Sequence, residues 1–175
     1  MNWRKKKILQ KDRNIGLLAP LRKGTFGCGD RAHCTGIIKG DTIFHPTKGS
    51  SIRINGHFSC NSTGVVYMLK CPCGLPYVGQ TSRSIKVRLN EHKKKEEKTK
   101  QEEKNERFSE LFAKHFFHNK HMVSQLRWTV LEQVNLLRVG NVWKQLLRKE
   151  AAWRKRLDSL VPKGLHESFS LQCFL

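Results

Sequence analysis

The hydrophobic pattern is flat over the first third of the chain and sharpens after Gly64. Residues 1 to about 58 hold glycine clusters and short polar stretches, among them Lys23-Gly-Thr-Phe-Gly-Cys-Gly29 and Lys48-Gly-Ser-Ser51, and sustain neither a helical nor an alternating period. Such a stretch reads as an irregular lead-in with room for a short hairpin. Val65-Val-Tyr-Met-Leu69 is then β-branched and apolar, and Cys71-Pro-Cys-Gly74 is turn chemistry. Leu75-Pro-Tyr-Val-Gly79 resumes extended character, so a β-hairpin is predicted.

Ser84 is placed to cap a helix whose apolar positions Ile85 and Leu89 stand four apart and which runs into the lysines near 93. Arg88 and His92 are also four apart, on one side of that helix. Residues 93–107 mix both charges without an apolar position, as a solvated helix surface or an insertion would. A second helix is predicted from Phe108 to Phe117 and a third strand over Leu126–Leu131. The longest helical pattern runs from Val142 to Leu160, ending before Pro162 and Gly164. Its stripe of Leu146, Trp153 and Leu157 is interrupted by Glu150, an acid on a core-facing line. Glu150 either reaches water at the edge of the stripe or has a chemical task.

Charge narrows the partners. The chain of 175 residues carries +20, with 34 Lys and Arg against 14 Asp and Glu. The excess is spread: 12 basic against 3 acidic residues over 1–59, 13 against 7 over 60–120, and 9 against 4 over 121–175. A polyanion, nucleic acid first, is the simplest partner for it. At this length a large multidomain enzyme is excluded, and no apolar run approaches the roughly 20 residues of a membrane span, so no membrane partner is expected. The N-terminus lacks the apolar core of a secretory signal, and the run Arg4–Lys7 suits a nuclear-import signal or a solvated end. A nuclear, intracellular location is expected. Its six cysteines are then read as reduced thiols, with metal ligation considered before disulfides.

Cys71 and Cys73 lie at the hairpin turn and His115 and His121 at the end of a helix, so two thiolates and two imidazoles could converge on a tetrahedral Zn²⁺. One residue between the cysteines is fewer than the usual two, so spacing alone is only suggestive; His118 is a substitute ligand. Cys28, Cys34 and Cys60, with His33 or His45, invite a second and more degenerate site. Cys173 carries no pattern.

Several of these features occur together in one known arrangement. Val65-Val66-Tyr67, Tyr77-Val78-Gly79, Arg88-x3-His92 and Glu150, in that order, resemble the GIY-YIG nuclease family. Cys-Pro-Cys-Gly between the two tripeptides, the Ala-Lys-His-Phe-Phe-His-Asn-Lys-His121 segment, the tryptophan soon after Glu150 and Leu160-x-Pro-x-Gly-Leu165 look like the C-terminal nuclease domain of Penelope-like retroelements. The resemblance covers roughly Cys60 to Glu167, within a nuclease domain expected over 60–168. It implies an α/β (α+β) fold, a small three-stranded antiparallel sheet flanked by helices, with 1–59 as a basic extension holding a partial cysteine cluster and 169–175 as a short tail. It also implies that the retroelement's reverse transcriptase would lie upstream and that this chain looks like an isolated or truncated nuclease end.

The activity so implied is metal-dependent hydrolysis of a DNA phosphodiester, with Tyr67, Tyr77, Arg88, His92 and Glu150 as the catalytic set. Glu150 would ligate Mg²⁺ or Mn²⁺, Arg88 would stabilise charge on the phosphate, and one of the two tyrosines would position or deprotonate water. That last role requires the phenol, ordinarily near pKa 10, to be assisted by neighbouring cations. His92 would hydrogen-bond a tyrosine or relay a proton. The resemblance also implies that Cys71, Cys73, His115 and His121 hold a structural Zn²⁺; no small-molecule cofactor is expected, and oligomeric state stays open. His166 stands where the family often has asparagine, which bears on turnover more than on fold. A catalytically silent, zinc-stabilised nucleic-acid-binding module is the alternative, and a small adaptor whose charge serves solubility is a third reading.

Overall fold

The computed structural model describes residues 22–29, 34–101, 111–134 and 141–167. The Arg4–Lys7 run, His33, the start of the helix expected from Phe108, Cys173 and the 169–175 tail lie outside the described residues.

The centre is a three-stranded antiparallel sheet whose middle strand pairs with its hairpin partner on one side and with a later strand on the other. Strand β5 (Val65–Lys70) is buried on both faces from Val65 to Leu69, which is why its sequence is continuously apolar rather than alternating. It pairs with β6 (Pro76–Thr81) through the Cys71–Gly74 turn, Tyr67 opposite Gly79 and Leu69 opposite Tyr77. Directly opposed residues share a face, so the two tyrosines project from the same side of the sheet. On the other flank β5 pairs with β7 (Arg127–Gln133), with a register shift at Val66/Tyr67.

Helix α1 (Ile85–Gln101) follows β6 directly, with Ser84 accepting the N–H groups of Val87 and Arg88 through its carbonyl. It buries Ile85, Leu89 and His92. Helix α2 (Leu111–His118) packs on α1 through Phe112, whose ring lies 5.6 Å from that of His92. Helix α3 (Val142–Arg156) is capped by Asn141, whose side chain accepts the Lys144 N–H at 3.0 Å, and ends in three basic residues that suit the helix dipole. It lies against β5 and β6 and buries Leu146, Glu150 and Trp153. Trp153 Nε1 donates to Glu132 on β7 at 2.9 Å, and Lys149 pairs with the same carboxylate.

The lead-in is more ordered than its flat pattern suggests. It carries β1 (Gly24–Thr25), β2 (Thr42–Phe44), β3 (Ser51–Arg53) and β4 (His57–Phe58); β2 and β3 form a hairpin and β1 runs parallel to β4. These two- and three-residue strands are too short to show a period. They dock on the outer edge of β7: Trp128 donates to Gly36 O and accepts from Ile38 N, both at 2.8 Å, and Thr25 Oγ1 accepts the Val130 N–H at 3.0 Å. Ile37, Ile43, Ile52, Ile54 and Phe58 belong to the same hydrophobic core as the sheet, so packing runs without a break across residue 60.

The opposite edge, along β6, is covered by the turn that follows α3. Leu165 donates to Pro76 O at 3.1 Å, and the Val78 N–H donates to His166 Nε2 at 3.0 Å. This turn contains the cis Val161–Pro162 bond.

Candidate active site

Strand β5 brings Tyr67 and helix α1 brings Arg88 and His92 to one point. The Tyr67 hydroxyl lies 2.8 Å from His92 Nε2 and accepts the Arg88 Nε–H at 3.1 Å, in a fully buried position. Gly79, opposite Tyr67, makes room: a Cβ there would sit 2.6 Å from the Tyr67 hydroxyl and 2.9 Å from Tyr77 Cε1. Tyr77, half-buried, meets His92 edge-on at 5.8 Å and stacks on His166 at 4.7 Å with 23° between the planes. One histidine therefore touches both tyrosines.

Arg88 continues outward. Its NH1 donates to Glu91 at 3.1 Å, and Glu91 also pairs with Arg83 at 2.6 Å. The guanidinium lines an open pocket of about 250 Å³ together with Gln80, Thr81, Ser82, Arg83 and Trp143. Glu150, two turns beyond Trp143 on α3, is buried and receives Arg154 NH2 on Oε1 at 2.7 Å. Burial pushes its carboxyl above the usual range; the Arg154 charge and hydrogen bond, and then the Arg88 charge, pull it back. Arg88 thus links the phenol to the field that acts on the carboxylate.

His166 is held neutral. Burial and the Arg154 charge push its imidazole down to about 3, and Nε2 is already committed as acceptor of the Val78 N–H. Its task at this position is to complete the hydrogen bonding of the β6 edge beneath Tyr77.

A second constellation lies at the hairpin turn. Cys71 Sγ and Cys73 Sγ are 3.1 and 3.2 Å from His115 Nε2, and these three atoms and a nitrogen of His121 all lie within 4.8 Å of one another. His121 Nε2 is buried without a hydrogen-bond partner among the described residues, and burial followed by the neighbouring His121 lowers the His115 pKa. Two sulfurs and two ring nitrogens gathered this closely fit a tetrahedral Zn²⁺, whose bonds of roughly 2.3 and 2.0 Å require such a set. His118, exposed, is not in the group.

Cys28, Cys34 and Cys60 also gather within 4.8 Å. The Cys28 and Cys60 sulfurs are set against each other, with Cα atoms 6.1 Å apart, because docking of the lead-in brings its first loop to the residues that precede β5. Cys34 Sγ lies 3.9 Å from Cys28 Sγ. His45 is buried elsewhere, its Nδ1 accepting from the Thr47 and Lys48 N–H groups.

The five residues singled out from sequence are thus drawn from β5, β6, α1 and α3 toward one region. Sequence reasoning did not find Arg154, Gln80 or Trp143 there. The available signal for the two α3 residues was spacing from Glu150: Arg154 is one turn after it, and Trp143 seven residues before it, on the same helix side.

A family model described as GIY-YIG catalytic domain matches residues 63–159, more than half of the chain. No curated protein and no solved structure matches it.

Proposed function

Because the chain belongs to the GIY-YIG family of catalytic domains, whose members are nucleases, we propose that it is a metal-dependent endonuclease that nicks DNA by hydrolysing a phosphodiester. The observation that carries this is Arg88: one guanidinium touches the Tyr67 hydroxyl, lines the open pocket and exerts its charge on Glu150.

A phosphate in the pocket reaches Arg88, one of its lining residues. As the guanidinium turns toward the nonbridging oxygens, it neutralises charge that grows during attack, and the hydroxyl it covered is opened to the attacking water. Tyr67 is the stronger candidate for base, since its proton has an acceptor in His92 Nε2 at 2.8 Å. Tyr77, stacked on neutral His166 and half-exposed, positions the water or the sugar. Glu150 would hold the divalent ion through Oε2, the oxygen not bonded by Arg154. A bound Mg²⁺ or Mn²⁺ supplies charge stabilisation at the phosphate and the leaving oxygen.

Cys71, Cys73, His115 and His121 would hold a structural Zn²⁺ that ties the hairpin turn to α2. The Cys71-Pro-Cys-Gly74 turn between the two strands, with Leu160-x-Pro162-x-Gly164-Leu165, also supports an origin in a Penelope-like retroelement.

The test is nicking of supercoiled DNA by the purified protein with Mg²⁺ or Mn²⁺. Removing Glu150 or Arg88 as Glu150→Ala or Arg88→Ala should cost about a hundredfold or more. Activity that survives Glu150→Ala removes its metal role. A second reading has a specific observation in its favour: the Arg154–Glu150 ion pair occupies the carboxylate that a metal needs, as it would in a silent DNA-binding module. DNA binding with no nicking under either metal would establish that reading instead.

A further inference from the structure

The pocket that Arg88 opens into carries three groups that phosphodiester hydrolysis leaves unused. Trp143 is 58% exposed, whereas Trp128 and Trp153 are at 2% and 6% and serve the core. An indole held out in water at the rim of a polar pocket contributes little to packing and offers a flat apolar face to whatever enters. Gln80, which lines the same pocket, has a buried side-chain carbonyl Oε1 with no hydrogen-bond partner among the described residues. Arg83 is 62% exposed in its side chain and pairs with Glu91. An aromatic face, an unsatisfied amide acceptor and a cation are what one nucleotide needs: a surface for its base, an acceptor for an exocyclic amino group, and a charge for its phosphate.

Helix geometry relates this pocket to the cut. Trp143 precedes Glu150 by seven residues, which returns it to the same helix side about 10 Å away along α3. That is about three rises of a DNA strand at roughly 3.4 Å per nucleotide. Arg88 belongs to both the pocket and the Tyr67 cluster, so a strand whose phosphate lies on Arg88 passes Trp143 within a few nucleotides.

We infer that Trp143, Gln80 and Arg83 form a subsite for a nucleotide flanking the scissile phosphate, whose base leaves the duplex stack to lie on the Trp143 indole while the Gln80 side chain turns its unpartnered carbonyl outward to accept from the base's amino group. The inference rests on the endonuclease reading above, and it makes the enzyme selective for DNA in which a base near the cut is already unstacked or unpaired. Adenine, cytosine and guanine carry the amino donor that Gln80 needs; thymine does not.

The experiment is a double cycle on protein and DNA. Wild type and Trp143→Ala are titrated with short duplexes carrying an abasic nucleotide at successive positions around the cut, reading Kd by anisotropy and KM and kcat by nicking. Trp143→Ala should raise Kd and KM about tenfold, within the range of about 5- to 150-fold that stacking of one base supplies, with kcat little changed. Trp143→Phe should restore most of the loss. One abasic position should weaken wild type by a similar factor and leave Trp143→Ala unaffected. As a second measurement, the indole emission of wild type should be quenched by a short single strand, and the quenching should be largely lost in Trp143→Phe. Equal Kd and KM for wild type and Trp143→Ala, or an abasic penalty the same in both, overturns the subsite while leaving the nuclease standing. Trp143-dependent binding without nicking by wild type does the reverse.

Discussion

The imidazole of His166 makes a sharp test of how the β6 edge is built. In the folded chain it is buried, stacked on Tyr77, and holds the Val78 N–H on Nε2, with its pKa pushed from 6.5 down to about 3. A group whose folded pKa lies below its unfolded value contributes stability that is fully present above the unfolded value and is lost as pH falls toward the folded one. The window therefore runs from about pH 6.5 down to about pH 3. Linkage over such a shift amounts to about 2 kcal/mol lost between pH 7 and pH 5, and more below. His166→Asn offers Val78 an amide oxygen in place of the ring nitrogen and does not titrate. It should pay a constant penalty for the lost stacking on Tyr77, and from pH 7 to pH 5 its stability should fall by about 2 kcal/mol less than that of wild type. Urea unfolding at half-unit pH steps, with paired wild type and variant, reads the difference directly; acid effects on the other carboxylates and on the Cys/His cluster cancel between the two. Parallel stability curves, or a His166 ring proton titrating near 6.5 in the native protein, would refute the assignment of Nε2 as a buried acceptor.

Three further outcomes are expected. Gly79→Ala places a methyl 2.6 Å from the Tyr67 hydroxyl and 2.9 Å from Tyr77, so it should cost about 1 to 3 kcal/mol and lower nicking with DNA affinity retained, as measured by unfolding and by anisotropy. The pH–rate profile should have its acid limb above the ordinary carboxylate value of 4.5, since burial raises Glu150 and it must be ionised to hold a cation; raising Mg²⁺ should move that limb toward acid, and a limb indifferent to metal concentration would count against Glu150 as ligand. Cys71→Ser with Cys73→Ser should abolish stoichiometric zinc in metal analysis and lower the melting temperature, whereas an unchanged melting temperature would remove the structural role.

Local chemistry explains what could be read in advance. The hairpin was visible because Val65–Leu69 and Leu75–Gly79 are extended runs around a Cys-Pro-Cys-Gly turn, and α3 because Leu146, Trp153 and Leu157 keep one helical stripe on which Glu150 is conspicuous. The Arg88 and His92 pair was visible from its i,i+4 spacing, and the structure sets both against Tyr67. The lead-in was opaque for a physical reason. Its strands are two or three residues long, and what stabilises them is supplied more than a hundred positions away, as when Thr25 takes the Val130 N–H. Docking of the same kind sets Cys28 against Cys60. Trp143 and Gln80 escaped notice because a pocket made by β6, the following loop and the start of α3 leaves no periodic trace.

The borders of the sheet set a limit on how small this nuclease can be made. The segment that carries the family pattern, 63–159, omits both Thr25 to Ile38 and Leu165 to His166, and with them the groups that satisfy Trp128 and Val130 on one rim and Pro76 and Val78 on the other. Cut to that segment, the domain would present two raw β-edges, the usual template for strand-by-strand aggregation. The flanking polypeptide is, in effect, the hem that keeps a three-stranded fabric from ravelling into its neighbours.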